Sequence, residues 1–156
     1  MTLRTIIYAL RSLALQTPNV GSVIINDVYR ENAWDNIAYG TVAILQREHT
    51  LSENYAVYRF QLAYIDRLTE DRSNEVDVQS EGIMSISNIV NAFTTAAAER
   101  GVTIEGDIVF NSFNERFKDV CAGVIADVAF VVKAPLGLCS EVEGRDGFTY
   151  DLSIIF

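Results

Sequence analysis

The chain has 156 residues, 49% of them apolar by type, and its 21 acidic against 12 basic residues give a net charge of −9. That length, with a mean hydropathy of +0.16, excludes an intrinsically disordered chain and predicts a single domain, residues 1–156, whose core needs no metal or disulfide staple. The acidic balance excludes a broad cationic face for nucleic-acid backbones, and no run approaches the roughly 18 apolar residues of a membrane span.

Acidity keeps such a chain soluble. It also suits one DNA-facing setting, a pore lining along which DNA slides without sticking. The two cysteines, Cys121 and Cys139, form no CxxC pair. Cys121 lies in an apolar run where a free buried thiol is ordinary, and a single long-range disulfide stays open. This usage fits a reducing cytosol. The N-terminus opens an apolar stretch but carries no small-residue cleavage site of a signal peptide.

Leu3, Ile6, Ile7, Leu10, Leu13 and Ala14 recur at helical spacing, with Arg4 and Arg11 on the other side. A helix over 3–15 follows, capped by Thr2 and stopped before Pro18. Val20, Val23, Ile24 and Ile25 predict a short strand, and residues 26–37, with Tyr29 and Trp34, a connecting loop. Residues 38–48 and 54–66 are rich in β-formers and read as a hairpin turning at 49–53. In its second arm Ala56, Tyr58, Phe60, Leu62 and Tyr64 share one face, and Tyr55, Val57, Arg59 and Gln61 the other.

A second helix falls within 73–100. Val76, Ile83, Val90 and Ala97, seven apart, with Ile86 and Phe93 between them, predict its core stripe. Gly82 weakens its early turns, so Ser80 or Ser85 is a candidate cap. Arg100 and Gly101 mark its end. Val102, Ile104, Ile108 and Phe110 then alternate with polar residues as one arm of a second hairpin, whose return, 120–133, is almost wholly apolar. Residues 112–119, holding Phe113 and Phe117, read as its tip, 134–147 as a loop, and 148–156 as a final strand with Tyr150 and Phe156 on one face. The order predicts an α+β fold: a largely antiparallel sheet with two helices packed on one face.

Catalytic signals are scarce. His49 is the one histidine, too few for a histidine metal cage, and neither GxSxG, GxxxxGK[ST] nor GxGxxG occurs. Glu105 and Asp107, two apart, with Asp127 on the facing strand, are the best candidate divalent-metal set. Glu141, Glu143 and Asp146 resemble a cation loop only in part. No catalytic residue, metal or cofactor is assigned. Aromatics in loops and tips, and a terminal strand without a charge after Asp151, point instead to contact with other chains.

The order helix, long hairpin, helix, hairpin, strand, with the charged turn Tyr64–Val76 leading from strand to helix, is similar to the small proteins that build rings at head–tail junctions of tailed bacteriophages, the tail terminator or tail completion proteins. The resemblance implies a virion structural protein, assembled in the host cytoplasm, forming a homo-oligomeric ring around a channel through which DNA passes. Its partners would be copies of itself and neighbouring portal, neck or tail proteins, with no membrane. Glu70, Asp71, Glu75 and Asp77 would then face the channel, and Phe113, Phe117, Tyr150 and Phe156 would contact partners. The alternatives are a soluble module binding a protein or peptide and, further off, a carboxylate-based metal-dependent hydrolase.

Overall fold

The computed structural model describes residues 1–26, 40–116, 120–133, 141–143 and 149–151. In chain order these form α1 (Leu3–Gln16), β1 (Ser22–Ile25), β2 (Thr41–Gln46), β3 (Thr50–Leu51), β4 (Tyr55–Arg67), α2 (Glu75–Ala97) with a 3-10 turn over Ala98–Arg100, β5 (Val102–Ile104), β6 (Val109–Arg116), β7 (Val120–Lys133), β8 (Glu141–Glu143) and β9 (Thr149–Asp151). The main sheet has seven strands in the order β1-β2-β4-β7-β5, with β3 alongside β4 and β6 alongside β7. Every pairing in it is antiparallel except β1 with β2. The fold is α+β, as the element order implies.

The spine is the long β4–β7 ladder, running from Tyr55↔Lys133 to Arg67↔Cys121. Residues directly opposite share a face, so Phe60, Leu62 and Tyr64 lie with Val128, Ala126 and Val124 under the helices. Ile6, Leu10 and Ala14 of α1 close this core on the side of β1 and β2. Val78, Ile86, Ile89, Val90 and Phe93 of α2 close it over β4, β7 and β5. Thr2 caps α1, its side chain accepting from the Thr5 amide. At the far end of α2, Gly101 takes the left-handed backbone at φ 72°.

The heptad stripe expected on α2 holds only in its second half: Val90 and Ala97 are buried, but Val76 is 74% and Ile83 40% exposed. A seven-residue repeat drifts about 20° per heptad on a straight helix, so the row that starts at Val76 reaches the core only at Val90, two heptads on. Gly82 is no breaker. It lies inside the helix where a Cβ would come within 2.8 Å of Val124 and 2.9 Å of Tyr64, so its missing side chain lets α2 descend onto the sheet. Ser85 is buried rather than capping, and Asn74 holds the cap position. Burial, and then the charges of Asp66 and Glu81, push the Tyr64 phenol well above its ordinary value. It stays neutral and donates to Asp66 at 3.4 Å.

Four boundaries also differ from expectation. Thr50 and Leu51 are strand, not turn, and the tight turn closes with the Ser52 amide on the Tyr55 carbonyl at 2.8 Å. The arm from 102 to 116 is two strands, broken around Gly106 at φ 70°. Residues 112–116, expected at a tip, continue β6 along β7. Within 134–147, Glu141–Glu143 is strand, and it pairs with β9 in a separate two-stranded sheet. The loop expected over 26–37 lies, after Asn26, outside the described residues.

Candidate assembly surfaces

β6 and β5 form one border of the main sheet. From Ile108 to Asn114 the chain has no charged residue and no proline. Among the described residues β6 has one strand partner, β7. Val109 is 62% exposed, and Asn111, Ser112 and Asn114 are exposed as well. Soluble proteins guard such borders with lysine, proline, inward charges or brevity, and this eight-residue strand has none of these before Glu115.

Phe113 lies within that strand, half-buried on the sheet face away from the helices. It pairs with Gly123 and packs beside a small second cluster of Ala43, Ala63, Ile65 and Cys121. A Cβ on Gly123 would stand 2.9 Å from the Phe113 ring, so the glycine makes the slot that the ring fills. Phe113 is therefore first a packing residue of its own chain, not the tip residue the sequence suggests. Tyr150 falls in β9, its backbone opposite Val142 of β8; residues 149–151 of the expected terminal strand thus have a partner within the chain. Phe117 and Phe156 lie outside the described residues.

The four acidic candidates come together at the entry to α2, but two serve local structure. The Asp71 carboxylate accepts from the Thr69 hydroxyl (2.7 Å) and from the Ser73 amide (3.1 Å) and hydroxyl (2.9 Å). The Thr69 bond, then those from Ser73, hold the Asp71 carboxyl below the ordinary carboxylate range. The turn it ties carries Arg72 in left-handed backbone at φ 57°. Glu75 accepts from Asn114 of β6 at 3.0 Å, which links the helix start to the border strand. Glu70 and Asp77 are exposed and make no side-chain hydrogen bond among the described residues, leaving their charge to whatever meets this end of the molecule.

Of the candidate metal carboxylates, Glu105 and Asp127 line one cavity together with Arg47 and Arg59. Glu105 pairs with Arg59 at 3.0 Å and Asp127 accepts from Gln61 at 3.2 Å, each already engaged by a neighbour. Among the described residues no three His, Cys, Asp or Glu side chains are grouped to hold a metal ion. Glu141 and Glu143 lie in β8, and Asp146 is outside the described residues. His49 is held by the fold: its Nδ1 accepts the Arg59 amide at 3.2 Å and its ring meets that of Tyr58 edge-on at 5.5 Å. No helix among the described residues is long and apolar enough to cross a membrane.

No protein-family model matches the chain, and no curated protein does. Besides Val109, the exposed large apolar residues include Tyr8 (54%) and Leu15 (47%) on α1, and Val76, Ile83 and Met84 (61%) on α2. Sequence patterning had placed Val76 and Ile83 in the core and passed over the others. The signal available for Val109 was the charge-free run from Ile108 to Asn114.

Proposed function

We propose that this chain is a structural subunit that works by assembling with copies of itself into a ring, of the kind that joins head to tail in a tailed bacteriophage around a central channel. The observation that carries the reading is the unguarded β6 border. A row of outward backbone groups flanked by apolar and amide side chains is a template for strand addition, and pairing with another chain satisfies it. The element order, similar to that of phage ring subunits, supports the same reading. On it, the subunit meets portal, neck or tail proteins as its other partners, assembles in the host cytoplasm and ends in the virion. Glu70 and Asp71, in the exposed turn before α2, supply carboxylates to a channel wall that DNA passes without adhering.

Native mass spectrometry on the full chain tests this. The expected result is a closed oligomer of one discrete subunit number. The variant Val109→Lys/Asn111→Lys, two exposed positions on one face of β6, is expected to keep the wild-type melting temperature within a few degrees and to run as a monomer, because solvated ammonium groups at a strand border block pairing. A wild-type chain that stays monomeric at every concentration overturns the reading.

A further inference from the structure

Hydrogen-bond alternation fixes which residues at each border of the main sheet point their backbone groups outward. In an antiparallel pair, residues that bond across the ladder alternate with residues whose groups point the other way. The Leu68 amide donates to the Val120 carbonyl, in register with the β4–β7 ladder, so the even-numbered residues of β7 bond to β4. Its odd-numbered residues bond to the other side, as the Glu105 amide does with the Ala129 carbonyl. Their partners in β6 are odd-numbered too, from Val109↔Asp127 to Glu115↔Cys121. Phe110, Ser112 and Asn114 therefore direct their amides and carbonyls away from β7.

The opposite border is β1, which among the described residues has one strand partner, β2. The Asn26 amide donates to the Ile44 carbonyl of β2, so even-numbered residues bond to β2 while Val23 and Ile25 direct their groups outward. Neither border carries charge over residues 20–26 or 108–114. The outward-bonding residues of both borders also have their side chains on one face, under the helices. Val23 and Phe110 pack against the main core, and Asn114 reaches Glu75 of α2. Directions agree as well. β1 runs with β2, β4 against both β2 and β7, and β6 against β7, so β1 and β6 run in opposite senses.

We infer that β6 of one copy pairs antiparallel with β1 of the next, so that one sheet continues from copy to copy; this rests on the ring reading and names the strand that fills its seam. A neighbour set beside the first copy in the same orientation brings its β1 antiparallel to β6. Residues directly opposite share a face, so Val23 and Ile25 meet residues whose side chains also lie under the helices. Both helix layers then stay on one side of the sheet. Had the outward groups of either border belonged to the other face, the neighbour would have to turn its helices over. The contact is heterologous, and such contacts close into rings, whereas β6 on β6 about a two-fold axis uses up the border in a dimer. Copies with net charge −9 repel one another, and these two uncharged borders set no like charges face to face.

Disulfide trapping on the full chain tests it. Ser112 is the middle of the three outward residues, so in either register that bonds both Val23 and Ile25 it stands opposite one of them. Bonded partners lie about 5.5 Å apart at Cα, within reach of a disulfide. Within one copy the two borders are four strand spacings apart, roughly 19 Å, so a disulfide between them joins two copies. After mild oxidation, Ser112→Cys/Val23→Cys or Ser112→Cys/Ile25→Cys is expected to give a ladder of covalent multimers on non-reducing denaturing gels. Ser112→Cys alone, and wild type with its own Cys121 and Cys139, are expected to stay single-chain. In wild type, the Val23 and Ile25 amides are expected to exchange at least about tenfold faster once the oligomer dissociates, a readout that needs no variant to fold. If wild type assembles but neither double variant gives the ladder and these amides do not change, this pairing is wrong and the ring reading stands. A covalent dimer from Ser112→Cys alone sets β6 against β6 and overturns the pairing. A wild-type chain without any oligomer overturns both.

Discussion

Gly123→Ala is expected to leave the chain unfolded or aggregated in the cell. A Cβ there would overlap the carbonyl oxygen of Tyr64 on the neighbouring strand and stand 2.9 Å from the Phe113 ring. Backbone on one side and a packed ring on the other leave no soft atom to yield. The overlap falls at the centre of the sheet, where Gly123 faces Ile65 of β4 and Phe113 of β6. A relief that moved β4 would pull Tyr64 from under α2, where it is fully buried. Overpacking against backbone belongs to the severe class of substitutions, about 4 kcal/mol or more, against a total of about 5–15 kcal/mol for an ordinary domain. Soluble yield and far-ultraviolet circular dichroism check it. A well-expressed variant with a cooperative melt near that of wild type would show that the strands do not pack this closely.

The second large effect belongs to Phe130→Ala. Phe130 is fully buried and joins the two layers: its ring meets Phe93 of α2 edge-on at 4.7 Å and Phe60 of β4 at 6.0 Å. Truncation removes the apolar contact of one layer with the other and leaves a cavity between rings too stiff to refill it. Such a change costs about 3–5 kcal/mol, which for a domain of this size lowers the melting temperature by roughly 6–20 °C. Thermal denaturation at matched concentration measures it. Phe130→Leu, which keeps most of the volume, is expected to recover more than half of the loss.

Much of the fold was legible because single-element physics decided it. The α1 stripe, the Thr2 cap, the long β4 alternation and the Gly101 stop each follow from periodicity or backbone preference, and each is present. The misplaced features depend on neighbours that no local pattern reports. Gly82 reads as a helix breaker until Tyr64 and Val124 are known to press against it. Ser112 and Asn114 read as part of a tip, since amides and hydroxyls favour turns, yet a border strand bonded on one side tolerates them. Val76 and Ile83 joined a heptad row that drifts off the core. The acidic quartet itself was visible in sequence, but not its division into Asp71 and Glu75, engaged with neighbours, and Glu70 and Asp77, exposed to solvent.

The claim that the charge-free β6 border is covered by another copy is tested most directly by amide hydrogen exchange of residues 109–114 across a dilution series of the wild-type chain. The amides directed away from β7 are expected to exchange slowly at concentrations where the oligomer forms and at least about tenfold faster once it dissociates, while the β4–β7 ladder stays protected throughout. Equal exchange at both ends of the series, with the oligomer intact at one of them, would mean that copies join elsewhere and that β6 is not their seam.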